Sequence, residues 1–232
     1  MYIYGKNVAK EAIKNKEKIK RIFLAKNFKD EEVIDYLSKV SAPIKYLEKY
    51  ELDKMIDGLH QGIILEVENF KYQSLDDIYD KENPLVVILD HLEDPHNFGA
   101  IIRTCEAAGV DAIIIPKDRS VEVNATVIKV STGAINGIKI IQVTNLNRTI
   151  EELKNKGFWI IGTDMNGTNY DEIDYKGSTA IVIGNEGSGM SRVVHENCDF
   201  IACIPMRGKT NSLNASVATG IIVFEAIKNR GM

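Results

Sequence analysis

Beyond residue 84 the chain is paced by short apolar runs: Leu85–Leu89, Asp111–Ile115, Ile138–Val143, Phe158–Ile161, Ala180–Ile183 and Phe200–Ile204. Runs of four to six residues, most of them continuously apolar rather than alternating, suit strands buried on both faces of a sheet. Between them the pattern lengthens to helical spacing, predicting helices over about 97–108, 121–131, 146–156, 189–195 and 212–229. Strand and helix in alternation predict an open, largely parallel α/β sheet. Such sheets bind ligands beyond the carboxyl ends of their strands. Polar clusters fall there, after Leu89, Ile161, Ile183 and Ile204.

The first seventy residues follow a different pattern. Asn7 can cap a helix running to about Lys16, with Val8, Ala12 and Ile13 on one face. Ile19–Leu24 reads as a strand. Asp30 caps a helix carrying Val33, Ile34, Leu37 and Val40 at helical spacing. A short strand at Ile44–Tyr46, a helix near 51–56 stopped by Gly58, and a strand at Ile63–Glu68 complete a small α/β domain. From Phe70 to Asn83 the chain turns polar. The division expected is a domain over 1–70, a linker over 71–83, and a second domain over 84–232.

Composition narrows the field. No window reaches the roughly 18 apolar residues of a membrane helix, and the start lacks the apolar core of a secretory signal, so no membrane partner and a cytoplasmic setting are expected. Cys105, Cys198 and Cys203 are too scattered for a disulfide framework, and neither they nor the four histidines have metal-ligand spacing. The net charge of −4 hides an asymmetry, for residues 1–29 hold nine Lys/Arg against two Asp/Glu. Such a stretch attracts phosphates locally, because distant acids are screened beyond about 8 Å; a solvated helix face explains it equally well.

Three stretches carry candidate chemistry. In Asp90–Arg103, Asn97 is placed to cap a helix, and Arg103 lies beside the small Ala100 and Ala107, free to reach a cleft or to pair with Glu106. The loop Gly184-Asn185-Glu186-Gly187-Ser188-Gly189 follows a strand, yet it is no phosphate loop. The first-strand GxGxxG and the GK[ST] signature are both missing, and Glu186 would repel a pyrophosphate. A sulfonium, an amine or a hydroxyl suits that carboxylate better. In Ile204-Pro205-Met206 through Asn211-Ser212-Leu213-Asn214-Ala215-Ser216, Ser212 and Asn214 can cap the last helix or reach a ligand. Ser212, Ser216 and Gly220 line a small-residue face that lets another backbone approach.

In this order and spacing, Asn97–Arg103, Gly184–Gly187 and Ile204–Ser216 resemble the three motifs of the SpoU (TrmH-like) branch of the SPOUT RNA methyltransferases. Ile3-Tyr4-Gly5 and His60-Gln61-Gly62-Ile63 are similar to the substrate-binding domain, of the ribosomal-protein L30e type, in bacterial 23S rRNA guanosine 2'-O-methyltransferases. The resemblance implies an L30e-like α/β domain followed by a SPOUT α/β domain with a mostly parallel sheet and a deep C-terminal trefoil knot, dimerised through the knot. It implies S-adenosylmethionine in the crevice, held around Thr163, Gly184, Gly187, Ile204, Met206 and Leu213, with no metal. Asn97, Arg103, Glu186, Ser212 and Asn214 would form the catalytic set around a target ribose. RNA, foremost 23S rRNA, would meet Lys6, Lys10, Lys18, Lys20 and Arg21.

Methyl transfer to a 2'-hydroxyl needs in-line approach, and holding the reactants in pose can supply roughly 7–11 kcal/mol. Neutralising an unperturbed guanidinium at pH 7 costs on the order of 8 kcal/mol. Arg103 is therefore better cast as a phosphate clamp that polarises the hydroxyl than as its base. Glu186 could orient the ribose or take the proton, with Asn97, Ser212 and Asn214 giving hydrogen bonds. The competing readings are a tRNA enzyme of the same branch, a non-catalytic RNA-binding or assembly protein, and a nucleotide-dependent oxidoreductase, the last disfavoured by the missing fingerprint.

Overall fold

The computed structural model describes residues 1–14 and 17–231; the helix end expected near Lys16 lies outside them. The chain folds as two units, residues 1–71 with 123–129 and residues 72–122 with 130–232.

The first unit contains β1 (Tyr2–Tyr4), α1 (Lys6–Lys14), β2 (Ile19–Ala25), α2 (Glu31–Ser38), β3 (Ile44–Leu47), α3 (Lys49–Asp53) and β4 (Ile63–Val67). Its sheet runs β1-β4-β2-β3, with β3 parallel to β2 and the other pairs antiparallel. Side chains alternate across a strand, so β2 and β4 feed two cores. Ile22, Leu24, Ile63 and Leu65 face one with Val8 and Val33, while Phe23, Ala25 and Ile64 face the other with Leu52. Ala125 and Ile128 pack against the first of these cores, which is why a segment distant in sequence belongs to this unit. Strand β1 was not expected from the pattern, since three residues form no readable run. Asn7 sits inside α1 rather than capping it.

The second unit contains α4 (Asp76–Tyr79), β5 (Leu85–Leu89), α5 (Pro95–Ala107), β6 (Ala112–Pro116), α6 (Ala125–Ser131, shared across the division), β7 (Lys139–Val143), α7 (Leu146–Asn155), β8 (Trp159–Asn169), β9 (Thr179–Ile183), α8 (Arg192–Glu196), β10 (Phe200–Cys203) and α9 (Ala215–Asn229). Its six strands run β10-β8-β9-β5-β6-β7, and every neighbouring pair is parallel. Every residue of β5, β6 and β9 is buried, as their uninterrupted apolar runs require. Within 71–83, Gln73 exchanges hydrogen bonds with Ile140 at 2.9 Å through its backbone N–H and side-chain Oε1. Ile78 is buried in the same core as Val86 and Ile88.

Helix starts shift for local reasons. Asp94, not Asn97, caps α5, accepting from His96 N–H at 2.9 Å with Pro95 in the first turn. Asn124 accepts from the N–H groups of Thr126 and Val127, so α6 begins at Ala125 rather than near 121. Asn214, one of the two expected caps, caps α9 through Ser216 N–H at 2.9 Å, so the helix begins at Ala215 rather than near 212.

Candidate active site

The loop after β9 is held closed by its own side chain. Asn185 and Gly189 exchange backbone hydrogen bonds at 3.0 and 2.9 Å. Asn185 Oδ1 accepts from the N–H groups of Gly187 and Ser188, and Nδ2 donates to the carbonyl of His91 at 2.8 Å. A Cβ at Gly184 would lie 2.4 Å from the backbone of Gly189 and Met190, closer than any side chain permits, so glycine is required for the loop to fold back. The far end is tied down too. Asp90, 1% exposed, accepts from Ser191 N–H through Oδ2 at 2.6 Å, and its Oδ1 lies 2.5 Å from His91 Nδ1. Asp90 and His91 therefore grip both ends of the loop from the end of β5. They and Asn185 escaped the sequence reading; its one visible signal was a polar pair directly following a buried strand.

Against this loop opens a cavity of about 450 Å³, within the size range of small-molecule sites. Thr163 and Asp164 of β8 form one wall, Gly184–Gly189 a second, and Ile204 through Leu213 a third. All six residues assigned to the cofactor reach it: Thr163, Gly184, Gly187, Ile204, Met206 and Leu213. Its charged lining is two carboxylates, Asp164 and Glu186, without a lysine or arginine. Such a donor set fits a cationic ligand with an apolar body and repels a phosphate. Thr163 Oγ1 is already bonded to Val182 O at 2.9 Å, which fixes its rotamer against β9.

At the lip, three elements meet through one hydrogen-bonded chain. Asn214 Nδ2 donates to Asn97 Oδ1 at 2.9 Å, and Asn97 Nδ2 donates to Glu186 Oε1 at 2.9 Å. Asn97 is nearly buried on the first turn of α5, whereas Glu186 is exposed. The N-cap of α9 thus aims an α5 amide at the carboxylate of the β9 loop. Ser212 lines the cavity beside Leu213. Arg103 is exposed on α5 and stands apart from this chain. Six residues on from Asn97, it is about 9 Å farther along the helix and on another face. Glu106, its alternative partner, instead lies against Gly137.

The five basic residues assigned to RNA sit differently from their appearance in the sequence. Lys6 pairs with Asp30 at 2.8 Å, Lys10 with Glu32 at 2.7 Å, Lys18 with Glu68 at 3.8 Å and Arg21 with Glu66 at 3.8 Å. The Lys6 bond and that from Val33 N–H hold the Asp30 carboxyl below its ordinary range, and the Glu32 bond raises the Lys10 ammonium. Lys20 alone of the five has no carboxylate in ion-pair distance among the described residues.

A wholly parallel sheet with its cavity beyond the strand ends, a carboxylate loop and an amide chain make a ligand site of the open α/β kind, suited to a cation with an apolar body. The model of the SpoU rRNA Methylase family matches residues 84–224, and that for RNA 2'-O ribose methyltransferase substrate binding matches residues 2–73. The chain belongs to the SpoU family of RNA methyltransferases. Among its relatives, YacO of Bacillus subtilis (strain 168), named for the TrmH family of tRNA/rRNA methyltransferases, is 43% identical over 238 residues, covering 99% of this chain and 96% of YacO. A similarly named protein of Staphylococcus aureus (strain COL) is 43% identical over 237 residues, 98% and 96% of the two chains. The fold is shared with the SpoU methyltransferase AviRb from Streptomyces viridochromogenes in complex with AdoMet, at a TM-score of 0.83 and 22% identity, covering 98% and 89%. The AdoMet-bound rRNA methyltransferase from Sinorhizobium meliloti aligns at a TM-score of 0.76 and 27% identity, covering 98% and 86%. The oxidoreductase reading falls with these matches.

Proposed function

We propose that the protein methylates a ribose 2'-hydroxyl of RNA, foremost a guanosine of 23S rRNA, using S-adenosylmethionine. The observation that carries this is the Asn214–Asn97–Glu186 chain at the lip of a cavity whose charged lining is anionic. Thr163, Gly184, Gly187, Ile204, Met206 and Leu213 would hold the cofactor, largely through backbone groups and apolar contact. When bound, S-adenosylmethionine supplies an electrophilic methyl group. Glu186, fixed at one oxygen by Asn97, presents the other to the ribose and orients or deprotonates its hydroxyl. Asn97 and Asn214 act through Glu186, and Ser212 offers a hydroxyl at the cavity wall. Arg103 clamps an RNA phosphate next to the target.

The same reading makes the protein a cytoplasmic homodimer with the family's trefoil knot, a topology otherwise very rare. Val217 and Phe224, seven residues apart on α9 and about half exposed, support an isologous contact through that helix. Among the described residues no helix is long and apolar enough to cross a membrane.

The deciding experiment maps tritiated methyl, transferred by the purified enzyme, onto total RNA from a strain lacking the gene. Label in a guanosine 2'-O-position of 23S rRNA is expected. Label confined to tRNA would replace the rRNA assignment, and label in neither would leave a non-catalytic RNA-binding role.

A further inference from the structure

We infer that the first unit carries a pocket for an unpaired RNA nucleotide at Lys29 and Lys49, and that this pocket, not the basic stretch of α1 and β2, makes the unit's selective contact with substrate. The inference rests on the RNA-methyltransferase reading and places the substrate contact within the first unit.

The pocket is a concavity of about 380 Å³ between the turn at Gly58–Gly62 and the segment following β2, large enough for a small ligand. It is a built feature. His60, 4% exposed, accepts from Gly62 N–H through Nδ1 at 2.9 Å, which leaves Nε2–H to donate to Asp53 Oδ1 at 2.9 Å. The turn this holds is unusual, with Gln61 at φ 52° and Gly62 at φ 85°; a non-glycine residue in the left-handed region needs outside support. Gln61 Oε1 in turn accepts from Lys6 N–H at 2.9 Å, locking the turn to the start of α1. His60, Gln61 and Gly62 thus shape a wall of the pocket.

Its chemistry suits a nucleotide. The cations of α1 and β2 mostly face carboxylates already, and a phosphate reaching them must displace those acids. Lys29 and Lys49 are exposed on the pocket lining and have no carboxylate in ion-pair distance among the described residues. Asp53, the one carboxylate of the lining, is engaged by His60. Phe28, Ala25 and Leu59 add apolar surface, and Leu59 is 80% exposed. Cations at the rim and apolar wall within match a phosphate and a base on one nucleotide. A base stacked and paired in a helix cannot enter a concavity, so a loop or bulge must present it.

The test uses the full-length protein and two labelled probes, an RNA hairpin with an unpaired loop and a blunt RNA duplex of equal length. Binding is followed by fluorescence anisotropy over a range of KCl concentrations. Replacing Lys29→Ala and Lys49→Ala together should weaken hairpin binding by about tenfold at 0.1 M salt and flatten the log–log salt slope by about 1.4, near 0.7 for each lost phosphate contact on a single strand. Lys10→Ala with Lys18→Ala should change both little. Leu59→Ser, at an exposed position that folding does not need, should weaken hairpin but not duplex binding and leave the slope unchanged. S-adenosylmethionine affinity by calorimetry should be the same in all variants. If the Lys10/Lys18 pair matters as much as Lys29/Lys49, or Leu59→Ser weakens both RNAs equally, the pocket is wrong while the methyltransferase reading stands. If the wild-type protein binds neither RNA, both fail.

Discussion

An asparagine side chain offers one acceptor and one donor end, and at position 97 both are engaged within the protein. Alanine there would leave Glu186 and Asn214 without their shared partner but disturb no wall of the cavity. We expect Asn97→Ala to lower kcat about 10²-fold, the lower range for a positioned acid–base group, with cofactor affinity nearly unchanged. Single-turnover methyl transfer beside calorimetric titration checks this; a large loss of cofactor affinity would contradict it. A second residue acts on stability alone. Arg230, past the end of α9, donates to the carbonyls of Tyr175, Gly177 and Asn83, and burial lowers its pKa. Hydrogen bonds from a charged donor contribute about 1.5–3 kcal/mol each when lost with a buried partner, reduced here by partial exposure. Arg230→Ala should destabilise the second unit by about 2–3 kcal/mol in urea unfolding, with no change in kcat for the folded enzyme.

At the scale of elements, the closed loop after β9 depends on Gly184. Gly184→Ala would drive a methyl group into the Gly189–Met190 backbone, forcing the loop off Asp90 and opening one cavity wall. Cofactor affinity should fall at least about tenfold and the melting temperature by several degrees; equilibrium dialysis and calorimetry read the two effects separately. Each of the six strands of the large sheet was legible at least in part: burial on both faces leaves an unbroken apolar run in β5, β6 and β9, whereas β8 was expected only to Ile161 and runs on, mostly exposed and polar, to Asn169. Helix starts were less so. The Asp94-Pro95 pair marked the true cap of α5 in plain sight, but Asn97 drew the reading toward itself because it is itself a capping residue type. Charge was the least legible feature. Lys10 lies 22 residues from Glu32, and Arg21 lies 45 from Glu66, so much of a run of +7 in sequence became paired once α2 and β4 were placed, while Lys20 and Lys29 stayed without a carboxylate in ion-pair distance among the described residues. The cavity wall was readable because its glycines and hydrogen-bonding side chains are contiguous. Its supports, Asp90 and His91, were not, since their partners lie about a hundred residues away.

For the whole molecule, the domain boundary is not a single cut. Residues 123–129 belong to the first unit, with Ala125 and Ile128 on its core. Removing 1–71 should therefore bare apolar side chains and lower solubility, and loss of cofactor binding in that truncation would not argue against a site in the second unit. Subunit sharing is the sharper question. Arg103 lies on another face of α5 from the Asn97–Glu186 chain, yet the proposed mechanism needs it at an RNA phosphate next to the ribose. A twofold dimer through α9, which packs against α5, can bring Arg103 of one subunit to the cavity of the other. Arg103→Ala and Glu186→Ala subunits, each inactive alone, then complement when mixed and reassociated. Half of the dimers in an equal mixture are hybrids, and each hybrid regains one complete site of two, so activity should return to about a quarter of wild type. If Arg103 serves the cavity of its own subunit, every site in every mixed dimer lacks one of the two residues, and the mixture stays inactive. Phe224→Glu, which places a charge on the proposed contact, should abolish the complementation together with the dimer, as judged by sedimentation.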